Sequence, residues 1–266
     1  MHDTGMFAWF SYDLPLETRL ELIKNAGFAA TALYWGFEEK DAGIAMAHRL
    51  GLAVDTVHAP FAFNPNALWA QEDEGERYLA ALCDCVRSCA YYGAETVVIH
   101  IDRLYIHPSV TDLGLMRIER LVSLAEVQGV RLAFENLGSV QTLSRVFSEF
   151  PSEFVGFCYD SGHAHCALPS EALLSRFGGR LFAVHIHDND GASDAHLLPF
   201  DGTIDWPCIR HALDESRPIP YLTLEADFDD THPMAAKYRG LGAEAFVTEA
   251  CARAQRLLSL CMPPKD

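Results

Sequence analysis

The chain has 266 residues, half of them hydrophobic, and its 37 acidic and 20 basic side chains give a formal net charge of −17 at pH 7. The hydrophobic content excludes a disordered chain, and the length fits one large domain that spans residues 1–266. The negative charge argues against nucleic acid as a partner, since such a field repels a phosphate backbone, although it leaves a small phosphorylated substrate open.

The sequence also argues against a secreted or membrane protein. The N-terminus, MHDTGMFAWFSYDLP, lacks the basic region and the long apolar run of a secretory signal. No apolar stretch approaches the roughly 20 residues that span a bilayer. We therefore expect no membrane partner and a cytoplasmic chain whose thiols stay reduced. Three of the eight cysteines, Cys83, Cys85 and Cys89, fall in one helical stretch, where we expect small buried thiols.

Short apolar runs alternate with longer amphipathic stretches along the chain. The predicted strands are, in order, Met6–Phe10, Ala29–Trp35, Ala53–His58, Thr96–Ile101, Arg131–Glu135, Val155–Asp160, Leu181–His187 and Tyr221–Glu225. Several of these runs are almost continuously apolar, as in TVVIH, which is typical of strands buried on both faces.

Helical segments lie between the predicted strands, and glycines mark where several of them end. They include Leu16–Ala26 before Gly27, Glu72–Tyr92 before Gly93, and Thr111–Gln128, which begins with a capping Thr or Asp and ends before Gly129. Alternating strands and helices predict a parallel sheet, either closed as a barrel or open and doubly wound.

The α/β fold that we predict is a single (β/α)8 TIM barrel. The chain is close to the roughly 250 residues typical of that fold, and its polar strand ends are spread over many strands. The C-terminal segment Glu244–Leu260 is rich in alanine, and we expect it to pack on the barrel or on a second copy of the chain. The sequence therefore allows a homo-oligomer but does not decide the oligomeric state.

Nine side chains that can bind a metal lie at or just beyond the carboxyl ends of predicted strands three to eight. They are His58, His100, Glu135, Asp160, His163, His185, Asp194, His196 and Glu225. Imidazole and carboxylate are ligands of hydrolytic and isomerising divalent metals, and a (β/α)8 barrel keeps its active site at these strand ends. One such residue alone is more often structural, but its recurrence in six consecutive units predicts a metal site. The set suits zinc, manganese, iron or cobalt better than calcium.

The segments HAPF, VVIH, FEN, YDSGHAH, VHIHDN and LEAD, with the D-A-H that precedes the Gly202 loop, resemble the sugar phosphate isomerase/epimerase superfamily. That superfamily shares a xylose isomerase-like TIM barrel with the endonuclease IV branch, and the resemblance covers nearly the whole chain. It implies one metal held by two Glu, an Asp and a His, which match Glu135, Glu225, Asp160 and His185.

The resemblance further implies a divalent-metal-dependent isomerase or epimerase that acts on a sugar or a sugar derivative. We expect proton abstraction next to a carbonyl and an enediolate that the metal stabilises. Glu135 or Glu225 would remove the proton, and the other would return it on the opposite face. Both reactions share this intermediate, so the residues do not distinguish isomerisation from epimerisation.

Further polar and aromatic side chains are predicted around a carbohydrate pocket. His163 is the family's candidate for contacting substrate hydroxyls, and it could instead bind a second metal. His185 and His187 share one strand face, with His187 nearer the rim, where Arg103 and His196 are further candidates for polar contacts. The aromatic candidates for the pocket wall are Trp9, Phe10, Trp35, Phe61 and Phe200.

The main alternative function is that of an endonuclease IV-like multimetal hydrolase. Its three-zinc site would use all nine side chains, so His58, His100, His163, Asp194 and His196 either complete a multimetal site or line a sugar pocket. The acidic loops FEEKDAG and WAQEDEGE lack the cations that grip DNA, and D-S-G-H looks more like the sugar enzymes. A noncatalytic barrel that binds sugar or metal is a third reading, against which the intact acid/base pair argues.

Overall fold

The computed structural model describes residues 1, 3–36, 40–60, 62–71, 73–169, 172–227 and 233–260. Eight strands lie in this part of the chain: β1 (Asp3–Phe7), β2 (Ala30–Tyr34), β3 (Ala53–His58), β4 (Thr96–Ile99), β5 (Arg131–Glu135), β6 (Val155–Asp160), β7 (Leu181–His185) and β8 (Tyr221–Leu224). They form one parallel sheet in the order β7-β6-β5-β4-β3-β2-β1-β8. Phe61 and Glu72, which we predicted in the pocket wall and at a helix start, lie outside the described residues.

The sheet closes into a barrel between β7 and β8. Ile186 and Leu224 form a parallel bridge just beyond the end of β7. The Ile186 backbone N–H donates to the Thr223 carbonyl at 2.9 Å, and the Glu225 N–H donates to the Ile186 carbonyl at 3.0 Å. The predicted (β/α)8 barrel is therefore confirmed.

Helices surround the barrel, and each of the first seven strands leads into at least one helix or helical turn. The α-helices of the described residues are α1 (Leu16–Ala26), α2 (Lys40–Arg49), α3 (Asp73–Tyr92), α4 (Asp112–Gln128), α5 (Val140–Glu149), α6 (Ser161–Ala167), α7 (Leu173–Phe177), α8 (Trp206–Asp214) and α9 (Ala243–Leu258). Short 3₁₀ segments cover Pro65–Trp69, Gly178–Arg180 and Pro233–Tyr238.

The helix boundaries follow local signals in the sequence. Thr111 precedes α4, and its hydroxyl accepts a hydrogen bond from the Gly114 backbone N–H at 3.2 Å. This hydroxyl satisfies one of the free N–H groups of the first helical turn. At the other end, Gly129 adopts a left-handed conformation with φ of 70°, which ends the helix as predicted.

The prediction for the first strand, Met6–Phe10, was wrong by three residues. The strand is Asp3–Phe7, because residues 3–6 pair with β8 on one side and residues 5–7 pair with β2 on the other. A search for apolar runs misses this start because Asp3, Thr4 and Gly5 are not apolar. Gly5 is required there, since an added Cβ would lie 2.7 Å from the Thr223 hydroxyl oxygen of the neighbouring strand. Trp9 lies beyond the strand and is 44% exposed.

Strands β3, β5 and β6 have the predicted bounds, whereas β2, β4, β7 and β8 are one or two residues shorter than predicted. The Ala-rich C-terminal segment forms α9, and its face with Phe246, Val247 and Ala250 packs on the barrel side, against α1 and the neighbouring strands. Cys85 and Cys89 are fully buried in α3, in agreement with the prediction, whereas Cys83 is only half-buried. Among the described helices, none is long and apolar enough to cross a membrane.

Alternation along the strands sorts the side chains of the barrel interior into layers. A small apolar cluster that includes Val98, Ala133, Cys158 and Ala183 is separate from the main core. Each of these four residues lies two positions before a predicted metal ligand, so both point to the same face of their strand. Apolar side chains therefore fill the barrel below, and polar side chains converge at the carboxyl end.

Candidate metal centre

The four residues that we predicted as ligands of one metal come together at the mouth of the barrel. Glu135, Asp160, His185 and Glu225 each place a ligand atom within 4.8 Å of the others. The residues are 1%, 0%, 1% and 7% exposed. The His185 Nδ1 lies 3.2 Å from the Glu135 Oε1 and 2.6 Å from the Glu225 Oε2. Three buried carboxylates at one point need a positive charge between them, because isolated buried charges are costly.

The imidazoles supply that positive charge when no other cation does. Burial alone would raise the pKa of Glu135, but His185 and His100 outweigh it and hold this pKa well below its ordinary value. Burial opposes ionisation of Glu225 as well, and His185 nevertheless lowers its pKa to about 2. Burial would lower the pKa of His185, yet the Glu225 and Glu135 carboxylates raise it well above its ordinary value. The two glutamates are thus ionised and compensated by protonated histidine.

A second ligand group shares Glu135 with the first. His58 and His100 place their Nε2 atoms 3.1 Å apart. These atoms lie 3.3 Å and 3.0 Å from the Glu135 Oε2, respectively. The ligand atoms of the three residues lie within 4.8 Å of one another, which is close enough for them to bind one metal ion. The Oε2 atom of Glu135 therefore faces the imidazoles of His58 and His100, while its Oε1 atom faces His185.

A third ligand group lies towards β7 and the loop that follows it, and consists of His163, His187, Asp194 and His196. The Asp194 Oδ2 is 3.2 Å from the His163 Nε2 and 3.3 Å from the His196 Nε2. His163 also reaches the first group, since its Nδ1 lies 3.4 Å from the Glu135 Oε1. Burial opposes protonation of His196, but Asp194 raises its pKa to about 10. All nine predicted metal-capable side chains thus lie in one connected cluster.

His187 lies deeper than we predicted. It is fully buried, and its Nε2 lies 3.1 and 3.0 Å from the two Asp160 carboxylate oxygens. Its ring stacks on that of His196, with the ring centroids 4.0 Å apart. Gly162 makes room for it, because an added Cβ would lie 1.9 Å from the His187 Cε1. This packing explains the glycine of the D-S-G-H motif.

Arg103 lies apart from the ligand cluster, at an exposed position beyond β4. It lines a cavity of about 440 Å³ together with His100 and the buried Asp102. Burial raises the pKa of Asp102 to about 7. His100 belongs to both the cavity and the second ligand group, so the cavity opens onto the metal centre.

Two neighbours that our sequence reasoning did not single out hold the backbone of ligand residues from the first and third groups in place. The Asn136 side chain accepts from the Asp160 backbone N–H and donates to the Asp160 carbonyl, both at 2.9 Å. The Ser161 hydroxyl donates to the His187 carbonyl at 2.7 Å and accepts from the His187 N–H at 3.0 Å. These residues follow predicted ligands directly in the chain, which is the only sequence signal they carry.

Asp188 organises the loop that carries Asp194 and His196. This fully buried carboxylate accepts from the Trp206 indole N–H at 2.9 Å and from the Phe200 and Ile204 backbone N–H groups at 3.0 and 3.2 Å. The loop is thereby tied back to the end of β7. Two-residue alternation along the strand assigns Asp188 to the face opposite His185 and His187, so the ligand pattern did not single it out.

Cys158 is the remaining group close to the first ligands. Its sulfur, a Glu135 oxygen and a His185 nitrogen lie within 4.8 Å of one another. Burial raises the pKa of the Cys158 thiol to about 12, so it stays protonated at neutral pH. Cys158 lies two residues before Asp160 on the same strand face, a signal that our sequence reasoning did not use.

Two kinds of sequence comparison relate the chain to known proteins. The family described as a xylose isomerase-like TIM barrel matches residues 20–241. The uncharacterized protein y4fM of Sinorhizobium fredii is 32% identical over 262 residues, which cover 82% of this chain and 83% of that protein. The uncharacterized protein MJ1311 of Methanocaldococcus jannaschii is 29% identical over 178 residues, which cover 60% of this chain and 59% of that protein.

Several solved structures have the same fold. The D-psicose 3-epimerase of Clostridium cellulolyticum H10, solved with D-tagatose, has a TM-score of 0.77 at 15% identity, covering 98% of this chain and 100% of that chain. The 3-keto-D-glucoside 4-epimerase YcjR of E. coli has a TM-score of 0.74 at 15% identity, covering 96% and 100%. The IolI protein, solved with a bound zinc atom, has a TM-score of 0.74 at 18% identity, covering 96% of each chain.

Proposed function

The chain belongs to the xylose isomerase-like TIM-barrel family, and from this premise we propose that it is a divalent-metal-dependent isomerase or epimerase of a sugar or sugar derivative. The observation that carries the proposal is the buried group of Glu135, Asp160, His185 and Glu225 at the barrel mouth. The names of the epimerases with the same fold add support for a carbohydrate substrate.

The residues of this group fit a divalent cation. Three carboxylates and one imidazole form a donor set that suits zinc, manganese, iron or cobalt. A divalent cation would also balance the negative charges that protonated His185 balances in its absence. Zinc in the IolI protein supports a metal in this fold. When bound, the metal would act as a Lewis acid for the oxygens of the substrate.

The two glutamates would move the proton. Glu135 is the last residue of β5, and Glu225 lies just beyond β8, so the two side chains reach the same point from different sides of the barrel. Both have a lowered pKa and are ionised at neutral pH, so each can accept a proton from a carbon next to a carbonyl. Their burial keeps water away from the acidified C–H group, which would strengthen them as bases.

Solvent-deuterium exchange tests this function. We expect the metal-loaded protein to catalyse exchange of a C–H proton in at least one member of a panel of ketoses and aldoses, free and phosphorylated. Removal of the metal with a chelator should abolish the exchange, and Zn²⁺, Mn²⁺, Fe²⁺ or Co²⁺ should restore it. Absence of exchange in every sugar by a protein with verified metal content would contradict the proposal.

Metal binding should release protons at neutral pH and weaken as the pH falls. His185 has a pKa well above the ordinary value, so it carries a proton without metal. A bound metal requires neutral imidazole, so this proton must leave, and a lower pH favours the protonated competitor. Titration calorimetry of Zn²⁺ in buffers of different ionisation enthalpy would count the released protons. Binding without proton release at pH 7 would contradict this prediction.

A second candidate function is a multimetal phosphodiesterase of the endonuclease IV type. The observation in its favour is that the second and third ligand groups also have their ligand atoms within 4.8 Å of one another, so each could bind a metal ion of its own. This function requires two or three bound metals per chain and cleavage of a duplex with an abasic site. Metal analysis that gives one ion per chain, together with an intact duplex, would exclude it. The exchange assay and the cleavage assay thus separate the two functions.

We also propose that residues 1–266 form a single domain, since the described elements from β1 to α9 belong to one barrel and its surrounding helices. The cytoplasmic location, the absence of nucleic acid as a partner and the homo-oligomer stay predictions from the sequence.

A further inference from the structure

The imidazole of His185 has two ring nitrogens, and they differ in their surroundings. Its Nδ1 lies 3.2 Å from the Glu135 Oε1 and 2.6 Å from the Glu225 Oε2, so this nitrogen faces the first ligand group. Its Nε2 is buried and has no hydrogen-bond partner among the described residues. Such a nitrogen needs an explanation, because buried polar atoms in proteins are nearly always hydrogen-bonded.

A metal bound to Nδ1 would make the other nitrogen of His185 a donor. A neutral imidazole that binds a metal through one nitrogen carries its proton on the other, which here is Nε2. Metal-binding histidines almost always donate that proton to a partner, and the partner fixes both the tautomer and the orientation of the ring. The surroundings of His185 must therefore supply an acceptor.

The aromatic rings that pack near His185 do not supply this acceptor. The Phe7 ring, whose centroid is 6.2 Å from that of His185, offers only carbon atoms. The His58 ring is 5.7 Å away, but its Nδ1 faces the Ala59 carbonyl at 2.7 Å and its Nε2 faces Glu135 at 3.3 Å. Both nitrogens of His58 are therefore engaged elsewhere.

Cys158 places a sulfur atom beside His185. This sulfur lies within 4.8 Å of a His185 ring nitrogen and of a Glu135 oxygen, in hydrogen-bonding reach of the imidazole. Cys158 is fully buried and belongs to the small apolar cluster below the ligand groups, where it alone among the described members carries a side-chain heteroatom. A thiol sulfur can accept a hydrogen bond, although more weakly than an oxygen does.

We infer that Cys158 is a positioning residue of the metal centre: its sulfur accepts a hydrogen bond from the Nε2–H of His185 when the Nδ1 of His185 binds the metal. The inference rests on the proposed function, because it takes Glu135, Asp160, His185 and Glu225 as one metal centre. It extends that function to a side chain that binds neither metal nor substrate. A neutral sulfur raises the basicity of the imidazole less than a carboxylate would, so the metal keeps more of its Lewis acidity.

The Zn²⁺ affinity of two Cys158 variants tests the inference. Chelator competition at neutral pH would compare the native protein with Cys158→Ala, which removes the acceptor, and Cys158→Ser, which keeps one. We expect Cys158→Ala to weaken Zn²⁺ binding by about tenfold or more, and Cys158→Ser to bind Zn²⁺ more tightly than Cys158→Ala. A thiol that only filled space would make serine the more damaging change, because a hydroxyl in an apolar cluster costs more than a methyl group.

Cys89→Ala is the matched control, since Cys89 is fully buried in α3 and belongs to the main core. It should bind Zn²⁺ with the native affinity, and melting curves would verify that each variant folds. A second measurement needs no variant. In the NMR spectrum of the native, Zn²⁺-loaded protein with ¹⁵N-labelled histidine, the ring proton of His185 should reside on Nε2.

Four results would overturn the inference. They are native Zn²⁺ affinity in Cys158→Ala, binding by Cys158→Ser that is no tighter than by Cys158→Ala, a His185 proton on Nδ1, and a sulfur-to-cobalt charge-transfer band in the Co²⁺-loaded protein, which would make Cys158 a direct ligand. A native protein that binds no divalent metal would overturn the proposed function as well. Zn²⁺ affinity that depends on Cys158 as expected, without deuterium exchange in any sugar, would overturn the proposed function alone.

Discussion

Replacing Glu135 or Glu225 with Gln is expected to lower the rate of solvent-deuterium exchange into the substrate by about 10²- to 10⁴-fold, the usual contribution of a general acid or base. Glutamine has nearly the same shape but cannot accept a proton from carbon. Both carboxylates are buried at the barrel mouth and ionised at neutral pH, so each is a competent base in the native protein. The exchange rate would be measured by NMR on a sugar that the native protein accepts.

The loss must be separated from a loss of metal, because both glutamates are also proposed ligands. Metal content would be measured on each variant, and exchange would be compared at saturating metal. Glu119→Gln, on the exposed side of α4, is the matched control and should exchange at the native rate. Undiminished exchange in both Glu135→Gln and Glu225→Gln would exclude the proposed mechanism.

Replacing Arg117 with Met is expected to lower the free energy of unfolding by about 3 kcal/mol or more, because several buried carbonyl groups would each lose a charged donor. The Arg117 guanidinium donates to the carbonyls of Ala67, Leu68 and Ala70 at 3.1, 2.9 and 2.6 Å, and its Nε donates to Glu76 at 2.9 Å. Its side chain is only 4% exposed. It thus fastens the 3₁₀ segment Pro65–Trp69 to α4.

Arg120 provides the matched control for this prediction. Its guanidinium donates to the same Glu76 at 3.0 Å, but its side chain is 63% exposed. Exposed ion pairs contribute about 0–1 kcal/mol, so Arg120→Met should change the stability by no more than that. Urea denaturation followed by circular dichroism measures both variants. An equal cost for the two substitutions would show that the carbonyl contacts of Arg117 do not stabilise the fold.

Much of the barrel and of its ligand cluster could be predicted because strand periodicity and ligand type are local properties. Apolar runs gave the bounds of β3, β5 and β6 as observed, and they failed at β1, whose first residues are Asp3, Thr4 and Gly5. That strand exists because β2 and β8 flank it on both sides, which no short window of sequence contains. The roles of Asp188 and Asn136 were not predicted for a related reason, since they depend on hydrogen bonds to backbone groups of other segments.

The sequence by itself determined the fold class and the identity of the nine metal-capable side chains, since parallel strands in a closed barrel bring their carboxyl ends to one place. Only the tertiary structure decided how those side chains divide into two groups that share Glu135 and a third group towards β7, because that division depends on distances between strands far apart in the chain. It also placed His187 in the interior, against Asp160 and His196. Burial and hydrogen bonding of a side chain depend on everything packed around it, and this is why periodicity predicts which side chains form the site but not how they contact one another.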